Sequence, residues 1–441
     1  MSPARPDLPA FLNAQRFGAY QWLIFTLCFL IVLLDGFDTA AIGFIAPSLV
    51  QEWGIARPML APVLSAALFG LAAGALTSGP LADRFGRKIV LLLSVLLFGA
   101  ACLASSFAAD LGSLTLWRFV TGIGLGAAMP NAVTLMSEYS PDRMRSTITN
   151  LMFCGFPLGA AFGGLLAAWM IPNFGWRSVL LAGGAAPLLL ALLILLLLPE
   201  SIRHLAARRG TEPRIRAILR RLSPRGTTVD DVEVVPAQQP AGSKAGIGLV
   251  LSRPYLTGSV ALWVAYFMGL VIFYALINWM PILFKDAGLD PKTATLVASL
   301  FPLGGIGTVL FGLLMDKIEP NRVIAIGFAL TAVAVYAIGQ SVGQVGLLVF
   351  VVFTAGALMN TSQSSLPALA ASYYPTEGRA TGVAWMMGVG RFGGIAGSFL
   401  VAELSRRQLS FSEVFTVVAI PGLIAAAALV VKLLRAHPAQ R

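Results

Sequence analysis

Apolar runs of about twenty residues recur along this chain, separated by short polar or basic turns. That repetition constrains the fold more than any other feature. A bilayer-crossing segment must satisfy every backbone donor and acceptor internally, so runs of this length fold as spanning helices. About twelve are legible, at 22–48, 61–81, 88–108, 113–136, 147–170, 178–198, 257–281, 293–314, 323–340, 344–370, 380–402 and 412–434. Charged residues make up only 12% of the sequence, about half the share in a soluble domain. A transmembrane barrel would alternate in short segments instead. The fold class expected is all-α and polytopic, with twelve transmembrane helices in two six-helix bundles.

The net charge of +11 does not indicate a nucleic-acid partner, because the basic residues collect in loops on one side of the expected membrane. Placing both termini in the cytoplasm puts Lys and Arg inside rather than outside by about four to one. The expected location is therefore the inner membrane of a bacterium, multi-pass, with both termini cytoplasmic. No cleavable signal pattern precedes the first run, so that helix is expected to stay in the mature chain. Cys28, Cys102 and Cys154 sit in apolar runs without metal or redox spacing, and both histidines, His204 and His437, lie in polar segments. No metal or cofactor is expected, and a histidine relay within the membrane is excluded. Gly122-Ile123-Gly124-Leu125-Gly126 lies inside an apolar helix with no strand before it, which fits close helix packing and not a phosphate loop.

The longest polar stretch, 200–253, divides the chain into 1–200, a cytoplasmic linker at 201–254, and 255–441, with a short helix expected at Ile215–Leu222. The halves repeat. Ser140-Pro141-Asp142-Arg143-Met144-Arg145 matches Tyr374-Pro375-Thr376-Glu377-Gly378-Arg379, and Gly79 to Arg84 matches Gly312 to Lys317, both at an offset of roughly 234 residues. Two parallel bundles joined by a cytoplasmic linker form a transporter architecture.

Asp35 and Asp38 lie within the first run, three residues apart and so on one helix face. A charge near the centre of a spanning helix costs roughly 2.5–3.5 kcal/mol and is rare without a use. Counting residues at about 1.5 Å each, Arg118 on the fourth run, which travels the opposite way, reaches the same depth near the outer third. An Asp–Arg pair between these helices is the expectation. Arg391, in Gly388-Val389-Gly390-Arg391-Phe392-Gly393, falls near mid-membrane, and its repeat counterpart is Pro157. A guanidinium peculiar to one half suits a carboxylate contact, which arginine can make through two parallel hydrogen bonds. Arg118, Tyr274, Asn278, Trp279, Asn360 and Gln363 are further candidates for substrate binding.

The loop Gly79-x-x-x-Asp83-Arg84-x-Gly86-Arg87-Lys88 resembles the signature loop of the major facilitator superfamily, and the resemblance spans essentially the whole chain. It implies that Gly79, Asp83, Arg84, Gly86 and Arg87, with Glu138 and Arg145 at neighbouring helix ends, form a cytoplasmic latch that acts on conformational change. It also implies that the first and fourth helices of each half line a central cavity. Leu116 to Gly124 resembles a fourth-helix pattern of proton-linked members, and Pro199-Glu200-Ser201 a family pattern after the sixth helix. The run Asp35-Gly36-Phe37-Asp38-Thr39-Ala40-Ala41-Ile42-Gly43 resembles the aromatic acid/proton symporter branch, especially its 4-hydroxybenzoate and protocatechuate transporters.

The expected function is proton-coupled import of an aromatic acid anion by a monomer, with Asp35, Asp38 and Arg118 in proton coupling. Asp35, nearer the cavity centre, is expected to sense substrate, and Asp38 to meet protons from outside. The alternatives are a symporter for another small organic anion, such as muconate or a dicarboxylate, and a non-transporting membrane sensor. An enzyme is not expected.

Overall fold

The computed structural model describes residues 11, 13, 17–141, 144–206, 211–223, 246–307, 319–374 and 376–435. Among them are no strands and twelve principal helices. The first six are α1 (Ala19–Trp53), α2 (Ala61–Phe85), α3 (Arg87–Ser105), α4 (Leu111–Tyr139), α5 (Gly155–Phe174) and α6 (Trp176–Leu197). The last six are α7 (Arg253–Asp286), α8 (Pro291–Leu303), α9 (Pro320–Gln340), α10 (Val345–Tyr373), α11 (Thr376–Arg406) and α12 (Phe411–Arg435).

Among the described residues, ten stretches are long and apolar enough to cross a bilayer. The eighth expected run, 293–314, is described only to Gly307, as α8 and the short 3-10 turn Gly304–Gly307. The eleventh, α11, has 31 residues but carries Arg391 and many glycines, which lower its apolarity. The fifth run is broken near Cys154 into Arg145–Phe153 and α5. Several helices outrun the expected spans: α1 has 35 residues and α7 has 34, so their ends stand beyond a hydrocarbon layer of about 30 Å.

The packing repeats with a step of six. In the first bundle α1 lies on α5 and α6, α2 on α4, and α3 on α4 and α6; in the second, α7 lies on α11 and α12, α8 on α10, and α9 on α10 and α12. The duplication legible in the sequence is thus also a duplication of helix contacts. The second copy of the loop motif, including Asp316 and Lys317, lies outside the described residues.

Small residues set the closest contacts. A Cβ added at Gly36 would collide with the Phe156 carbonyl on α5, and one at Gly159 with the Leu33 carbonyl on α1. The two backbones therefore meet directly on either side of Asp35, and this contact fixes the rotation of α1.

The bundles meet along α1 with α7, α5 with α8, and α2 with α11. Gly43 rests against the backbone of Ile277 and Asn278, and Gly164 against Ser299. At the end of the molecule where α1 and α7 finish, Arg57 pairs with Asp286 across the two bundles at 2.7 Å, and Lys285 donates to Gln51 at 3.4 Å.

The linker helix runs Glu212–Leu222, one turn earlier than expected, with Pro213 in its first turn. It buries Ile215, Ile218, Leu219 and Leu222 in the core of the first bundle, and the Arg221 guanidinium lies over the Tyr20 ring. Residues 224–245 of the linker lie outside the described residues.

Candidate functional site: a buried ion pair beside the cleft between the bundles

The fourth helix begins at Asp110, whose carboxylate accepts the Ser113 amide at 2.8 Å and caps the helix. Two turns in, Arg118 reaches α1. Its Nη1 donates to Asp38 Oδ1 at 2.7 Å and its Nη2 to Asp38 Oδ2 at 2.9 Å and to the Asp38 carbonyl at 3.2 Å. The guanidinium is 0% exposed and Asp38 1%. A two-pronged pair this deeply buried is held by charge on both sides, and losing either partner strands the other.

Asp35 is also buried, at 4% exposure, but makes no such pair. It accepts one hydrogen bond, from Thr39 at 3.4 Å. The depth match expected from residue counting therefore holds for Asp38. Three residues share a helix face only loosely, and the α1–α5 glycine contact turns Asp38 to Arg118 and leaves Asp35 toward the second bundle. Asp38, the aspartate expected to meet protons from outside, is the one locked to a cation in this conformation.

Arg391 does not touch a carboxylate here. Its Nη1 crosses from α11 to the first bundle and donates to the Leu71 carbonyl on α2 at 3.1 Å. Leu71 lines a narrow cleft between the bundles together with Thr39, Arg118, Tyr274 and Asn278. Of the expected site residues, Arg118, Tyr274 and Asn278 line this cleft, and Asp38, Asp35 and Arg391 are bonded to its lining residues Arg118, Thr39 and Leu71. Gly394 on α11 makes room for the Tyr274 ring, since a Cβ there would meet it within van der Waals contact.

The other polar candidates are engaged in helix contacts. Trp279 is wholly buried and its indole N–H donates to the Ser398 carbonyl at 3.1 Å. Asn360 donates to the Gly356 carbonyl at 2.8 Å and the Phe301 carbonyl at 3.2 Å, and Gln363 to the Tyr266 carbonyl at 3.2 Å. Buried amides within membranes commonly join helices in this way. Thr39 and Ser398 were not singled out by the sequence; a hydroxyl in an apolar helix is common, and only the neighbouring helix gives it a partner.

The loop motif forms part of a second polar cluster, at the far end of the first bundle. Gly86 has φ 104° and ends α2, and a Cβ there would strike the Glu200 carboxylate. That carboxylate caps α3, accepting the backbone amides of Arg87 at 2.8 Å and Lys88 at 3.0 Å. Arg87 pairs with the buried Glu138 at 3.0 Å, and the Ser201 hydroxyl donates to the same carboxylate. Tyr139 donates to the Glu200 carbonyl at 2.6 Å. Gly86, Arg87 and Glu138 are therefore assembled as expected, with Glu200 as a central acceptor. Arg84 lies over the Phe85 ring, and Gly79 is exposed with open space where a Cβ would stand. The side chains of Asp83 and Arg145 lie outside the described residues.

The chain is similar to several known proteins. The 4-hydroxybenzoate transporter PcaK of Pseudomonas aeruginosa is 48% identical over 434 residues, spanning 98% of this chain and 97% of that protein. A gallate transporter of Pseudomonas putida is 46% identical over 437 residues, spanning 98% and 97%. The inward open conformation of the xylose transporter XylE from E. coli shares the fold, with a TM-score of 0.73 over 92% of this chain and 95% of that one at 19% identity. The family model described as Major Facilitator Superfamily matches residues 28–309 and 262–441. Duplicated helix packing, a charge pair between the helices and these matches give one conclusion: the chain belongs to the major facilitator superfamily.

Proposed function

We propose that this protein imports an aromatic carboxylate, of the 4-hydroxybenzoate or protocatechuate class, together with protons by alternating access. The observation that carries the proposal is the buried Asp38–Arg118 pair with Asp35 beside it and no cation bonded to Asp35. The likeness to named transporters of 4-hydroxybenzoate and gallate supports the substrate class.

An aromatic acid is an anion at neutral pH, and moving it in against an inside-negative potential costs roughly 2.3 kcal/mol per 100 mV. One proton cancels that charge, and a second makes import favourable in the potential. Asp35 is the proton carrier: protonating Asp38 must break two charge-assisted hydrogen bonds to Arg118, whereas protonating Asp35 breaks none. Arg391 holds the substrate carboxylate, exchanging the Leu71 carbonyl for a better acceptor. Tyr274 and Asn278 line the same cleft.

Both termini are cytoplasmic, from the placement of basic loops. The Arg57–Asp286 pair then lies on the outer side and ties the two bundles together there. The bundles comprise 1–200 and 255–441, with 201–254 as the cytoplasmic linker. A monomer suffices, since one chain supplies both walls of the cleft. The test is uptake of labelled 4-hydroxybenzoate by cells expressing the protein, with and without a protonophore. Accumulation abolished by the protonophore is expected; accumulation that persists, or no uptake, contradicts the proposal.

A further inference from the structure

Asn278 on α7 is 1% exposed, and its Oδ1 has no hydrogen-bond partner. A buried amide carbonyl without a donor is uncommon and points to a missing ligand or water. The orientation of this amide is set by Ser398 on α11. The Ser398 hydroxyl donates its single proton to the Gly394 carbonyl at 3.3 Å, so it offers only lone pairs to Asn278. Asn278 Nδ2 accordingly donates to Ser398 Oγ at 3.0 Å, and Oδ1 is turned away from it. The Ser398 carbonyl also takes the Trp279 indole N–H at 3.1 Å, which fixes α7 against α11 at this level.

The cleft beside Asn278 is walled by Ile42, Leu64 and Leu71 and by Thr39, Arg118 and Tyr274, none of which donates to that oxygen. At its inner end the Leu71 carbonyl receives Arg391. Arg391 and Ser398 are seven residues apart on α11, which is two turns on one face and about 10 Å along the axis. An anion anchor and an unmatched acceptor thus stand at opposite ends of one narrow space. The ligand that matches both is elongated, with a carboxylate at one end and a hydroxyl at the other.

We infer that Asn278 Oδ1 accepts a hydrogen bond from a ring hydroxyl placed opposite the carboxylate, and that Ser398 is the positioning residue that aims it. The inference rests on the aromatic-acid reading and adds the basis of its selectivity. It makes the protein a discriminator of 4-hydroxybenzoate against benzoate and 2-hydroxybenzoate.

The experiment is competition binding to the purified full chain in detergent, with labelled 4-hydroxybenzoate displaced by each of the three acids. The wild type is expected to favour 4-hydroxybenzoate over benzoate by about tenfold or more. Asn278→Ala should bring that ratio close to one through weaker binding of 4-hydroxybenzoate, and Asn278→Ser serves if the alanine variant does not fold. Ser398→Ala should reduce the ratio about threefold, by freeing the amide to turn, and Ser398→Thr, which keeps the hydroxyl, should restore it. A ratio that stays at its wild-type value in the Asn278 variants overturns the inference while leaving aromatic-acid binding intact. Binding of none of the three acids to the wild type overturns the aromatic-acid reading and the inference with it.

Discussion

At the residue scale, the site depends on one contact that residue counting can anticipate and one that it cannot. The depth of Arg118 relative to the aspartates follows from rise per residue and the opposite travel of α1 and α4. Which aspartate it meets depends on the rotation of α1, and that is set by glycines whose partners lie over a hundred residues away. Arg391 resting on the Leu71 carbonyl was likewise illegible, since nothing in the α11 run names α2 as its neighbour. The pair itself makes a testable claim. Arg118→Leu leaves the Asp38 carboxylate buried without its partner and should cost about 3–5 kcal/mol of stability. Arg118→Leu combined with Asp38→Leu should recover most of that loss, because two apolar side chains can fill the same space. Thermal unfolding in detergent measures both, and transport should be absent in each. Equal destabilisation in the single and double variants would show that the pair is not what stabilises this contact.

At the element scale, the glycines divide into kinds that the sequence does not separate. Gly36 and Gly159 hold α1 and α5 in backbone contact, and Gly86 gives α2 a left-handed end beneath the Glu200 carboxylate. Gly79 belongs to the recognisable motif yet has open space around it in this conformation. Gly36→Ala should therefore force α1 from α5 at a cost of about 1–3 kcal/mol and lower the melting temperature. Gly79→Ala should leave the melting temperature within the small range of neutral surface changes. Side-by-side unfolding of the two variants checks this. The expected helices themselves were largely legible, because apolar run length is a physical requirement of the bilayer. Their ends were not, since α1 and α7 continue well past the apolar layer as ordinary helix; the break near Cys154 falls just before Pro157, which has no N–H to donate to the Phe153 carbonyl.

At the scale of the whole molecule, two bundles with repeated packing enclose a cleft that one charged residue from each side approaches, Arg118 from the first and Arg391 from the second. The duplication was visible in two short motifs; the tie across one end was not, because Arg57 and Asp286 sit in different turns with no shared pattern. Arg57 is half exposed, and exposed pairs contribute about 0.2–1 kcal/mol. Arg57→Ala should shift the balance of conformations toward the outward-facing one by at most about fivefold. Distance measurements between spin labels on the α1–α2 and α7–α8 turns would record a larger share of long distances. The most direct test of the whole account uses proteoliposomes with an imposed pH gradient, acid outside, and labelled 4-hydroxybenzoate. Wild-type protein should accumulate the acid, and Asp35→Asn should still exchange external for internal substrate while losing gradient-driven accumulation. Full accumulation by Asp35→Asn would contradict the assignment of Asp35 as the proton carrier on which the coupling rests.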